Sequence, residues 1–306
     1  MKKMIVVAAA LLATSAQASS GLDFGDLNYF LKSGQFNLTS NFNVPNIEVT
    51  DEASKIDYET NGYVIDNRIG FGVADNLNAF VGLDYAFQYE TETPGSSNSN
   101  NGGLSNPYAG AYYRLMNQSD SAFNLDFGVV GRFQLMDAEV GTFGKDGTFN
   151  RGNHSVEVNS SIGRKWNEAN EWRLTAALIH NFDGEYERNA ATSSDVETDA
   201  SQDISLTAAY QYRPVQEFML AVSMQAIQVG EVDSTVKTGN TRFTDDSHLD
   251  LNFTFNAKYL ITETFIAKFN YGQSRLAEYD RDSNGTSSEQ KDRHQLYYGF
   301  GIDWLF

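Results

Sequence analysis

The chain has 306 residues, 22 Lys or Arg against 40 Asp or Glu, a formal net charge of −18, and no cysteine. That balance excludes a nucleic-acid footprint, which needs a basic face, and leaves no disulfide or thiol chemistry to consider. No segment reaches the ~18 apolar residues that a membrane-spanning helix requires.

At the start of the chain, Lys2 and Lys3 are basic, Met4 to Ala13 form an apolar run, and Ala16-Gln17-Ala18 forms a small-residue cleavage site. This is the layout of a secretory signal peptide over residues 1–18. Residues 19–33 follow as a separate N-terminal segment. Phe24, Leu27, Phe30 and Leu31 fit one face of a short helix tucked against the body of the protein, and a loosely held tail fits the same residues equally well.

From residue 34 to 306 the pattern is period two, the signature of strands with one apolar face. The stripes run Phe36–Phe42, Tyr63–Val73, Leu77–Tyr89, Ala109–Leu115, Phe123–Phe133 and Val156–Trp166, then Trp172–Phe182, Ile204–Tyr212, Phe218–Ala226, Leu249–Tyr259, Phe265–Tyr271 and Leu296–Phe306. Between Ala109 and Leu115 the phase is ambiguous, because Tyr108, Tyr112 and Tyr113 put aromatics on both faces. Short turns at Asp75-Asn76, Asn117–Ser121, Asn167–Glu171, Pro214–Glu217 and Ile261–Glu263 alternate with long polar connections at 44–61, 91–106, 134–152, 184–201, 230–246 and 274–292. Twelve strands with this alternation predict an all-β fold. It is a single transmembrane antiparallel up-and-down barrel, with short periplasmic turns and long extracellular loops. The mean hydropathy of −0.42 agrees, since every second residue of such a barrel faces a polar lumen. In hydrocarbon every amide needs a partner, so the first strand must pair with the last.

Positions opposite the apolar stripes are the expected pore lining: Asp66, Arg68, Asp84, Asp126, Arg132, Glu157, Lys165, Arg173, Arg213, Asp250, Lys258 and Lys268. Lys165, Arg173, Arg213 and Lys258 cluster by sequence near the short turns. They point either to a basic, anion-selective constriction or to charges paired across a filled lumen. Within 134–152, Gly141, Phe143, Gly144, Gly147 and Phe149 suit a loop folded inward as a constriction. The six long connections hold 23 Asp or Glu against 9 Lys or Arg, so most of the acidic excess faces outside. Asp280, Asp282 and Asn284 match the first half of a calcium loop, but the twelfth position is Lys291 where glutamate is needed. No cofactor is expected.

The final stripe, Tyr298, Phe300, Ile302, Trp304 and Phe306, alternates up to a terminal phenylalanine. Together with the signal peptide it resembles the closing strand of Gram-negative outer-membrane β-barrels. The resemblance implies integral placement in the outer membrane among lipids and lipopolysaccharide, and recognition of the strand ending at Phe306 by the barrel-assembly machinery. The chain is similar in size and strand number to the outer-membrane phospholipase, but lacks its His-x-Ser arrangement. His154, His180 and His294 share parity with the outward stripes, and His248 has no nucleophile beside it in sequence. These features imply no enzyme. They imply a porin-like channel for passive diffusion of small hydrophilic solutes or ions, or alternatively a non-conducting structural or surface-recognition barrel acting through its acidic loops.

Overall fold

The computed structural model describes residues 24–51, 56–92, 99–135, 137–141, 149, 152–189, 194–238, 241–275, 277–283 and 286–306. The signal-peptide reading of residues 1–18 therefore lies outside the described residues. Twelve strands form the barrel: β1 Phe36–Asp51, β2 Ile56–Ala74, β3 Leu77–Glu92, β4 Tyr108–Met116, β5 Asn124–Arg132 and β6 Asn153–Asn167, followed by β7 Asn170–Asn189, β8 Ser201–Val215, β9 Phe218–Val229, β10 His248–Thr262, β11 Phe265–Arg275 and β12 Thr286–Leu305. Each is antiparallel to its neighbours in sequence, and β1 closes on β12 from Asn37 opposite Leu305 to Asp51 opposite Gln290. Closure removes the open edge that hydrocarbon does not tolerate.

The outward stripes are exposed despite being apolar: Val81 is 56% accessible, Leu115 57%, Ile204 59% and Phe300 64%. A contiguous apolar exterior of this kind is explained by lipid and by nothing in water. Aromatic clusters mark both rims. Phe36 stacks on Phe71 and Phe306 at the turn end, while Phe42, Tyr63 and Phe87 stack at the loop end. The phase of β4 resolves here, with Tyr113 and Leu115 outward and Tyr112 and Arg114 inward.

One local expectation is corrected, and the long connections gain detail. The stripe of β3 does not continue to Tyr89. Gln88 has a φ of 48° and the β2 register shifts between Asn61 and Tyr63, so Tyr89 packs edge-on against Phe149. The long connections are also less loop-like than their polarity suggests. Their backbone amides continue the ladder, because a wall above the membrane still satisfies its hydrogen bonds best by pairing. The hairpin of β1 and β2 stays paired out to Asp51 and Ile56. Short strands at Ser194–Thr198, Val232–Val236, Thr241–Asp245 and Tyr279–Ser283 link β7 to β12 in one outer ladder. Bonds between side chains support it: Arg281 grips Asp245 with two hydrogen bonds of 2.6 and 2.8 Å, and Lys237 lies 2.6 Å from Glu185.

Candidate lumen site and its N-terminal plug

Residues 24–35 run into the turn end of the barrel, and they do so as successive turns, not as a helix. The reason is where the backbone donors go. Gly25 has a φ of +98°, which breaks helical continuation, and the amide of Leu27 donates to the Glu171 carboxylate at 2.7 Å. Among the described residues, the short-range backbone–backbone bonds of this segment are turn closures, Tyr29 N to Asp26 O and Gln35 N to Lys32 O.

The wall holds this segment with charge and with shape. Asp26 is buried between Lys165 at 2.8 Å and Arg213 at 2.7 Å. Arg114, itself bidentate to Asp126 at 2.7 and 3.1 Å, donates to the Asn28 carbonyl at 2.9 Å and lies over the Phe30 ring at 4.5 Å. Lys258 donates to the Gly25 carbonyl at 2.9 Å, and Arg173 to the Leu27 carbonyl at 3.1 Å. The side-chain amide of Asn28 reaches Glu171 and the Trp172 carbonyl at 3.2 and 3.0 Å. Glycines make the seats. A Cβ on Gly163 would stand 2.0 Å from the Asn28 side chain, and one on Gly72 would stand 2.0 Å from the Lys32 carbonyl oxygen. Beneath Gly25 lie Met219 and Ile266, both fully buried. Burial raises the Tyr29 phenol above its ordinary pKa, and a hydrogen bond to Gln35 opposes the shift.

This arrangement changes the meaning of the expected basic ring. Lys165, Arg173, Arg213 and Lys258 do converge at the turn end, but they are engaged by the plug and do not stand free around an opening. Buried charge needs partners, and Asp26 together with the carbonyls of Gly25 and Leu27 supplies them.

Above the plug the interior stays open. One cavity of about 420 Å³ is floored by the plug and reaches Arg68, Phe80, Tyr112, Glu157 and Asp303. A second of about 450 Å³ continues along Asn41, Asp66, Thr254, Asn256, Lys268 and Asn270. The two share Thr39, Arg68, Lys258 and Asp303 in their linings, so they adjoin along the barrel interior. Lys268 bonds Asp303 at 2.8 Å, and Asp66 accepts from Asn41 at 3.1 Å. Toward the outer end, Arg132 lies 3.9 Å from Asp84 and 4.8 Å over the Tyr108 ring. Asp250 accepts from the Ala277 amide at 3.0 Å and lies 3.7 Å from His248, which stacks on Tyr279.

Three residues of this site escape a reading by alternation alone. Phe80 is apolar on the inward face, where polar residues are expected, and only its parity with Asp84 marks it. Tyr112 and Arg114 sit on the strand whose phase the sequence leaves open. Asp280 and Asp282 lie exposed in the outer hairpin, and Asn284 is outside the described residues. So is most of the proposed inward loop, residues 142–148; of its flanks, Glu139–Gly141 pairs in parallel with Glu187–Asn189.

No family model and no curated protein matches the sequence. Among solved structures, the COG4313 outer membrane channel from Pseudomonas putida F1 is similar with a TM-score of 0.59 at 12% identity, covering 94% of this chain and 100% of that one. The NanC porin gives a TM-score of 0.48 at 8% identity, covering 85% of this chain and 98% of that one. The TodX monoaromatic hydrocarbon channel also gives 0.48, at 10% identity and 92% of both chains. By its closed fold, and by the apolar band it turns outward, the chain is a twelve-stranded integral β-barrel of the outer-membrane type.

Proposed function

We propose that the protein is a channel for passive diffusion of small hydrophilic solutes, with residues 24–35 as a resident plug at its periplasmic end. The observation that carries this reading is the pair of adjoining polar cavities inside the barrel, lined by asparagines, threonines and charged side chains. A barrel filled for structural reasons alone has its interior occupied by side chains. Among the described residues, the turn end is filled by a segment outside the wall strands, and cavities lie above it. We propose no catalytic role, and assign Asp66, Arg68, Glu157, Lys258 and Lys268 to the permeation path.

The test is single-channel conductance of the refolded full-length protein in a planar bilayer, compared with a variant lacking residues 24–33. We expect brief or small openings in the full-length protein and openings several-fold larger in the variant. A reversal potential shifted toward anions is expected as well, because Lys165 and Arg213 lose the Asp26 carboxylate, and Arg173 and Lys258 lose the Leu27 and Gly25 carbonyls. Two folded but silent barrels would overturn the channel reading. They would leave the acidic outer ladder, with its ordered hairpins, as the functional surface.

A further inference from the structure

Six charged side chains line the cavity above the plug: Asp26, Arg68, Glu157, Arg173, Lys258 and Asp303. Four of them are satisfied by the protein. Asp26 is held by Lys165 and Arg213, Arg173 lies 3.5 Å from Asp126, Lys258 bonds Gly25 and Gln211, and Asp303 bonds Lys268 and Thr39. Arg68 and Glu157 differ. Among the described residues Arg68 makes no hydrogen bond and no ion pair; its guanidinium rests 5.5 Å from the Phe80 ring centre. Glu157 accepts one hydrogen bond, from Asn159 at 2.6 Å, and has no cationic partner among the described residues.

The two line the same space from different strands. Arg68 is on β2 and Glu157 on β6, four strand steps apart, roughly 19 Å along the wall at the usual strand spacing. Their inward-reaching side chains narrow that gap without closing it. Between them lies an aromatic floor. Phe80 stacks on Tyr112 with centroids 5.3 Å apart, and Tyr112 packs over Gly128 beside Asn159. A half-buried charge without a partner lowers stability, so two of opposite sign facing one cavity are best explained by an occupant that carries both complements.

We propose that this cavity is a binding site for a small zwitterion of the amino-acid type. The solute's carboxylate meets two of the five unused N–H donors of Arg68, its ammonium meets Glu157, and its apolar body lies against Phe80 and Tyr112. This inference rests on the channel reading, since it makes the site a station on the permeation path.

The experiment is calorimetric titration of the refolded full-length barrel in detergent with phenylalanine, phenylpropionate and phenethylamine. Phenylalanine is expected to bind roughly tenfold tighter than either singly charged analogue, the worth of one charge-assisted contact. Arg68→Gln should reduce its affinity to that of phenethylamine, and Glu157→Gln to that of phenylpropionate. Lys237→Gln, in the outer ladder, should leave all three unchanged. Equal affinities for the three probes, or no binding, would overturn the zwitterion site. Proteoliposome swelling separates the two readings. Swelling in arabinose with no preference for phenylalanine leaves the channel standing and sinks the site. Absence of swelling in every solute, even without residues 24–33, sinks the channel, and the site's place on a permeation path falls with it.

Discussion

At the turn end of the barrel Lys165, Arg213 and Arg114 each close on an acid within 2.8 Å, whereas midway along the lumen Arg68 and Glu157 face a cavity with no ionic partner among the described residues. Both regions put charge inside a protein, fully buried at the turn end and half-buried in the middle, and burial without a partner is costly. The turn end meets it with the chain's own N-terminal segment, and the result is a charge-matched contact, the plug we propose. The middle leaves it unmet, and the result is a surface with specific demands on whatever enters. The difference teaches that charged residues lining a barrel cannot be read as a filter until their partners are known.

The strongest way to break the contrast is to take the acid from the plug. Asp26→Ala removes the carboxylate that Lys165 and Arg213 share in a buried site, a change expected to cost about 3–5 kcal/mol. Its thermal midpoint should fall and its openings should resemble those of the plug-deleted barrel. Retention of the wild-type conductance would show that Asp26 does not hold the plug.

Shape is the next lever. Gly72→Val and Gly163→Val each place a Cβ 2.0 Å from a plug atom, and overpacking of this kind typically costs about 1–3 kcal/mol. More frequent openings with the barrel otherwise intact are expected from single-channel records. Gly25→Ala belongs with them. Its φ of +98° and the Ile266 side chain 2.8 Å from the new Cβ disfavour any substitution.

The middle of the lumen should answer differently. Arg68→Gln and Glu157→Gln remove charges that no partner stabilises, so the thermal midpoint should hold within about 0.5 kcal/mol or rise. A clear fall would reveal a structural role and erase the contrast with the turn end.

The smallest effect lies outside the membrane, at Asp233. Hydrogen bonds from Thr244 and then Arg242 hold its carboxyl below the ordinary carboxylate pKa. A lowered folded pKa means stabilisation that is complete above the unfolded value and lost as pH falls through the folded one. Hydrogen exchange in the hairpin Val232–Val236/Thr241–Asp245 should therefore quicken only in acid, below the usual carboxylate range. Asp233→Asn should remove that dependence; the same acid response in that variant would assign it to another group.

Much of the architecture was legible because strand physics is local. The alternation of Leu77, Ala79, Val81, Leu83 and Tyr85 follows from one lipid-facing side per strand, and the turn at Asp75-Asn76 needs only its neighbours. What the sequence left unread has equally physical causes. Apolar spacing in Phe24, Leu27, Phe30 and Leu31 suits a helix, but the amide of Leu27 is taken by Glu171, 144 positions away. The ladder from Ser194 to Ser283 is written in polar residues, since above the membrane neither face of a strand has to be apolar, and polarity alone does not separate it from loop.

The candidate site divides along the same line. Arg68, Glu157, Lys165 and Lys258 could be placed inside the barrel by parity, because facing inward is a property of each strand alone. Which of them is neutralised depends on contacts between distant segments: Asp26 reaching Lys165, Gly25 reaching Lys258, Phe80 sliding under Arg68. The sequence by itself determined the barrel, the twelve strands and the side each residue faces, since period and hydropathy are set by near neighbours and by lipid. Only the tertiary structure decided that one basic cluster is a lock and one opposed pair is left open, since pairing of charge is set by distance in space.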